Sequence, residues 1–169
     1  MPAGMNRADK NQAGKDPSGE AGGIAGQGSG RRRGRVLAMK LLYQAEMAGG
    51  VPDISRGSSS LEEFGEAPER AREFALELAR GVVGKRAELD AALGEVMQKW
   101  DPGRLAAVDA QLLRVAAYEL LFCPDIPGRV SINEALEIGR EYSTAESVKF
   151  MNGVLDALAQ KKAPDKLRN

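Results

Sequence analysis

Apolar positions recur at helical spacing along most of this chain, and nowhere do they alternate over a useful strand length. From Gly34 to Ala48, Leu37, Leu41, Ala45 and Ala48 share one face, with Ala38 and Leu42 beside it. Val36, Met39, Tyr43 and Met47 fall on a second stripe nearly opposite, and Lys40, Gln44 and Glu46 separate the two. A helix with two apolar stripes lies deep in a core or offers one stripe to a partner. Gly49, Gly50 and Pro52 end it, and residues 49–60 read as a loop rich in Gly and Ser. Ser60 and Glu63 have the spacing of a capping box that opens a short helix. Pro68 suits the first turn of the next helix. There Phe74, Leu78 and Val82, then Leu89, Leu93 and Met97, recur at four-residue steps in one long helix. Gly81 and Gly84 are expected to weaken or kink it near its middle.

Trp100, Asp101, Pro102 and Gly103 form a turn signal. The stretch from Leu105 to Phe122 is apolar over most of its circumference, which predicts the central, most buried helix. Its polar arc is Arg104, Gln111, Arg114 and Tyr118, with Glu119 at the edge. Asp109 falls on the apolar side. It is either the N-cap of a helix beginning at Ala110, the preferred reading, or a polar contact to a partner. Two prolines keep Cys123–Gly128 out of helix. Ser131 and Glu134 read as a capping box for a helix from Ile132 to about Tyr142. Thr144 or Ser143 caps the last helix, which runs to about Lys161. Its apolar face is Phe150, Val154 and Leu158 with Met151 and Leu155; its polar face is Lys149, Asn152, Asp156 and Gln160. The expected fold is all-α, a compact bundle of about six to seven helices.

Composition sharpens this picture. Aromatic residues make up only 5% of the chain, so the core must come from aliphatic residues, Met and Ala, which suit helices. Residues 1–30 carry almost no large aliphatic side chains and are expected to be a disordered tail. The folded domain is expected over 31–163. Histidine is absent, which removes the commonest general base and metal ligand. Cys123, the single cysteine, has no His to activate it and reads as a buried structural thiol. No nucleophile elbow, phosphate-binding loop or dinucleotide fingerprint is present, so neither an enzyme nor a cofactor or metal site is expected. No apolar stretch approaches a bilayer span and no secretory signal opens the chain, so a cytoplasmic protein is expected, with no membrane partner.

Charge is where function enters. Lysine and arginine total 24 and so do aspartate and glutamate, so the chain is neutral as a whole. Yet Arg31, Arg32, Arg33 and Arg35 crowd into a short stretch that runs into the helix carrying Tyr43. A solvated charge run is the plain explanation. Against it, cations oppose the dipole at a helix start, so something other than helix stability is expected to have put them there. Guanidinium groups pair with phosphates, and an aromatic face accepts an unstacked base. With no helix-turn-helix and no zinc motif, the residues point to single-stranded nucleic acid, with Tyr43 and Phe150 as the stacking residues. A helical adaptor that binds only protein through the Val36/Met39/Tyr43/Met47 stripe is the alternative, and the same stripe could make a homodimer.

From Leu113 the chain reads "LRVAAYELLFCPDIPGRVSINEALEIGREYSTAESVKFMNGVLDALA", and 31–46 reads "RRRGRVLAMKLLYQAE". With "YEL" at 118–120, "DIP" at 125–127, "INEA" at 132–135 and "KFMNGVLD" at 149–156, the chain resembles the NusB family of bacterial transcription antitermination factors over roughly 31–160. The resemblance implies two small helical subdomains, 31–100 and 104–163. It implies binding of the boxA element of ribosomal RNA leader transcripts, jointly with the ribosomal protein NusE, in an RNA polymerase antitermination complex. It assigns RNA contact to Arg31, Arg32, Arg33, Arg35, Tyr43, Lys149 and Phe150, and places Asp109 near the NusE contact surface. Phe150 is expected to pack one ring edge and expose one face. Gly34 replaces a better helix former, which implies a looser Arg cluster, and Ser143 stands where the family would have Gly. A related domain opens some ribosomal RNA cytosine methyltransferases; the chain ends at Asn169 without a catalytic domain, so the free factor is expected.

Overall fold

The computed structural model describes residues 23–49, 62–98 and 101–168. Seven α-helices lie among them and no strand: α1 Gly23–Met47, α2 Glu62–Glu66, α3 Glu69–Gly84, α4 Arg86–Val96, α5 Ala107–Phe122, α6 Gly128–Tyr142 and α7 Ala145–Lys162. A 3-10 turn, Pro164–Leu167, follows. The expected all-α class holds. The expected tail lies outside the described residues as far as residue 22, but from Gly23 the backbone is helical. The Arg cluster therefore sits inside α1, not at its first turn, and the dipole penalty read from the sequence does not apply. Ser60 of the first expected capping box and Trp100 of the expected turn also lie outside the described residues.

The stripes of α1 are resolved by burial. Leu37, Ala38, Met39, Leu41 and Leu42 are core, while Tyr43 and Met47 stay exposed. The second stripe thus splits along its length: Met39 goes inside, and the end toward Met47 faces out. Gly49, at a positive φ of 70°, follows the helix end. Gly34 does not loosen the cluster. A Cβ there would meet the Phe74 ring at 2.8 Å and the Ala71 carbonyl oxygen at 3.0 Å, so glycine is what lets α1 lie close against α3.

The long helix expected over 74–97 is two helices, broken at Lys85, whose backbone (φ −110°, ψ 12°) leaves helical geometry. Its periodic residues are core as expected: Leu78, Val82, Leu89 and Leu93 are fully buried, with Phe74 and Met97 half-buried. The central helix α5 begins at Ala107, so Asp109 is no N-cap; that position is Ala106. The polar arc expected on α5 is inside the protein. Gln111, Arg114 and Glu119 are each 1% exposed. Ser131 is no cap either, since α6 opens at Gly128 after Pro127 and Ser131 is buried within it. Thr144 does cap α7, its Oγ1 accepting from the Ser147 N–H at 3.1 Å. Ser143 adopts an extended backbone (φ −137°) open to any residue, so no glycine is required there.

The fold continues past residue 163. Lys166 Nζ donates to the carbonyl oxygens of Glu119 (2.5 Å) and Cys123 (2.6 Å), and so closes the C-terminal end of α5. Arg129 Nε donates to the Leu167 carbonyl at 3.1 Å, which ties the same turn to α6.

Candidate nucleic-acid interface

The Arg cluster divides by direction around α1. Arg35 points inward and is 3% exposed. Its Nε donates to Glu119 Oε1 at 2.6 Å and its Nη2 to Glu119 Oε2 at 3.2 Å, a bidentate pair on α5 that is buried on both sides. Arg35 was expected among the nucleic-acid contacts; the structure makes it an internal strut between α1 and α5. Arg32, one turn earlier, is half exposed and grips Glu134 of α6 through Nε (2.9 Å) and Nη2 (2.6 Å). Those bonds hold the Glu134 carboxyl below the usual glutamate range. The Nη1 edge of Arg32 is left for another acceptor. Arg31 is exposed, 3.8 Å from the Asp125 carboxylate and 5.5 Å from the Phe74 ring centroid. Arg33 is exposed, and its charge helps lower the nearby Glu63 carboxyl, an effect led by the hydrogen bond that Glu63 accepts from Lys40.

Tyr43 lies farther along α1 and is exposed. Lys149 and Phe150 sit elsewhere, on the outer side of α7. Phe150 is 41% exposed at the rim of a shallow cleft of about 440 Å³, lined with Val96 of α4 and with Glu146, Lys149, Gly153 and Val154 of α7. The helical pattern read Phe150 as part of the apolar face, but Met151, Val154, Leu155 and Leu158 form that face. The Phe150 ring is partly covered and partly exposed. The two patches of candidate residues are thus on different helices. Tyr142, the last residue of α6, has its ring 5.3 Å from Lys40 Nζ of α1, and the chain runs on from it into α7.

Sequence reasoning missed Glu119, Glu134, Lys40 and Tyr142. Only Lys40 left a usable signal: at 100° per residue it falls almost in line with Arg33 on α1. The other three depend on which helices become neighbours.

Asp109 is 4% exposed in the first turn of α5, and among the described residues its Oδ1 has no hydrogen-bond partner. A second polar network ties α5 to α1 and α4. Arg114 donates to Asp90 of α4 at 2.9 and 3.2 Å, and Glu46 of α1 accepts from Arg86 (2.8 Å) and Gln111 (3.3 Å). Cys123 is buried, and burial pushes its thiol up to about 11, far from a nucleophile's range. Among the described residues no group of three potential ligands could hold a metal ion, and no helix is long and apolar enough to cross a membrane.

Comparison with known proteins agrees with this architecture. Residues 32–160 match the NusB family. The transcription antitermination protein NusB of Desulfatibacillum aliphaticivorans is 41% identical over 128 residues, which span 76% of this chain and 88% of that protein. The solved structure of T. maritima NusB superimposes with a TM-score of 0.71 at 36% identity, covering 82% of this chain and 97% of that one. A solved complex of antitermination factors NusB and NusE with dsRNA contains the same fold, at a TM-score of 0.70 and 24% identity, covering 79% of this chain and 98% of that one. The chain belongs to the NusB family.

Proposed function

We propose that this NusB-family protein is a transcription antitermination factor that holds boxA-type single-stranded RNA of ribosomal leader transcripts together with ribosomal protein NusE, within an RNA polymerase antitermination complex. The observation that carries the RNA reading is the split of the Arg cluster. Arg35 supports the fold, while Arg31, Arg32 and Arg33 gather positive charge at the surface of a neutral chain, on the helix that exposes Tyr43. Exposed guanidinium groups beside an exposed ring supply phosphate pairing and base stacking together. Lys149 and Phe150 offer the same pair of functions on α7. That the similar proteins are transcription antitermination proteins supports the role.

Asp109 is assigned to the protein partner. A buried carboxylate oxygen without a donor is costly, and a donor from NusE docking over the start of α5 would relieve it. The protein works by binding, in the cytoplasm, with no catalytic residue and no cofactor. The chemistry favours this, since the one thiol is held protonated and histidine is absent.

The test is titration of a labelled boxA-type RNA with the full chain, with and without NusE, at several salt concentrations. Binding that weakens with salt by about 0.7 in log–log slope per phosphate, and tightens with NusE, is the expected result. A duplex of the same sequence and a scrambled strand are the controls. Absence of RNA binding in every arm, with NusE still bound, would favour a protein-only adaptor acting through Tyr43 and Met47.

A further inference from the structure

Long side chains link α1 to α6 at two places. Arg32 meets Glu134, and Lys40 meets Tyr142 the same number of residues later on each helix. Lys40 therefore lies two turns beyond Arg33, about 10 Å along the axis, and one turn before Tyr43. It stands where three helices converge: its own, α6 through Tyr142, and α2 through Glu63, whose Oε2 accepts from Lys40 Nζ. Glu63 is open to solvent on 59% of its side chain, and its charge is felt by Lys40 and Arg33.

We propose that Lys40 and Tyr142 form a phosphate-and-base seat that joins the Arg end of α1 to the Lys149/Phe150 patch of α7, and that the Glu63 carboxylate occupies the phosphate position in the free protein. The inference rests on the RNA-binding reading above and names a new station in the same track. Three features carry it. The ammonium lies over a ring, an arrangement that favours a cation at the ring face and leaves its far side for an anion. The anion present is a carboxylate whose Oε2 accepts from Lys40 Nζ, as a phosphate oxygen would. The Glu63 side of the pair stands in solvent, so the carboxylate can leave for water and exchange for a phosphate loses little. Arg32 and Glu134 make the contrast. That pair is bidentate and its carboxylate is largely covered, so it orients a guanidinium and does not yield its place.

The experiment is salt titration of boxA-type single-stranded RNA binding to the full chain and to Glu63→Ala, Glu66→Ala, Lys40→Met and the Glu63→Ala/Lys40→Met pair. Glu66 is an exposed acid on the same short helix and controls for the loss of one negative charge. Lys40→Met is expected to weaken binding and lower the salt slope by about 0.7, the loss of one phosphate contact. Glu63→Ala is expected to tighten binding more than Glu66→Ala does, and that excess is expected to vanish in the Lys40→Met background. Thermal melts of the four variants report that each is folded at the titration temperature. A folded Lys40→Met variant with wild-type affinity and slope overturns the seat. Equal effects of Glu63→Ala and Glu66→Ala overturn the carboxylate's occupancy. Wild-type protein that binds no RNA defeats the function reading as well as this one, whereas wild-type binding with unchanged variants defeats this one alone.

Discussion

Arg35 and Arg32 lie one turn apart on α1, and each grips a carboxylate with two nitrogens, yet they belong to different regions of the molecule. Around Arg35 the charges are sealed: Glu119 is 1% exposed and water reaches neither partner. Around Arg32, Arg33 and Lys40 the charges reach solvent: Arg32 is half exposed over a covered Glu134, Arg33 is exposed, and Glu63 is exposed beside Lys40. The difference teaches that a run of like residues is not one functional unit. A sealed ion pair is fixed because losing one partner strands the other without solvation. A pair whose carboxylate stands in solvent, as Glu63 does beside Lys40, is weak and exchangeable, because water or a phosphate can take the carboxylate's place.

The strongest way to break this comparison is at its sealed end. Arg35→Ala leaves the Glu119 carboxylate uncompensated and is expected to cost about 3–5 kcal/mol of folding free energy, read by urea denaturation. A variant as stable as wild type would mean that Arg35 is as replaceable as its surface neighbours. Phe150→Ala tests the open side. A ring 41% exposed leaves little cavity, so stability should fall by less than the roughly 3–5 kcal/mol of a core Phe. Binding of boxA-type RNA should fall by about 1–3 kcal/mol, the scale of one lost base stack. A large drop in melting temperature with RNA affinity intact would return Phe150 to the core.

Arg33→Ala sharpens the contrast within the cluster. Stability should stay within about 0.5 kcal/mol of wild type, while the salt slope of RNA binding drops by about 0.7. Titrating the double variant Arg33→Ala/Arg35→Ala at a temperature where it stays folded would separate the two roles. The smallest effect expected is on pH dependence. Arg32's hydrogen bonds depress the Glu134 carboxyl, so their pair stabilises the fold above the unfolded glutamate value of about 4.3, and the contribution fades as pH falls through the lower folded value. Melting curves of Glu134→Gln should lose part of the acid dependence that wild type has in that window. Identical acid profiles would show that the pair adds nothing to stability.

Helix type and the core-facing residues were legible in the sequence because both rest on periodicity, which is local. Leu78, Val82, Leu89 and Leu93 are buried as their spacing requires. Thr144 caps α7 as its position requires, and the motifs at 118–120 and 149–156 led to a family that the comparisons bear out. The polar residues were the ones that local reasoning misjudged. Gln111, Arg114 and Glu119 form a polar arc by spacing, and a polar arc ordinarily faces water. Here Arg35, Asp90 and Glu46 arrive from other helices to satisfy it, so it is buried. Asp109 and Ser131 looked like caps because cap spacing is short-range, but their helices start a turn earlier, after Ala106 and Pro127. Gly34 looked like a weak point because its own helix gains nothing from it, and its reason lies across the gap in Phe74 and Ala71. The sequence by itself determined which segments coil and where most of the aliphatic core lies, since each of those follows from a residue and its near neighbours. Only the tertiary structure decided which arginine is a strut and which stays at the surface, because that depends on the carboxylates that α5 and α6 bring to the face of α1.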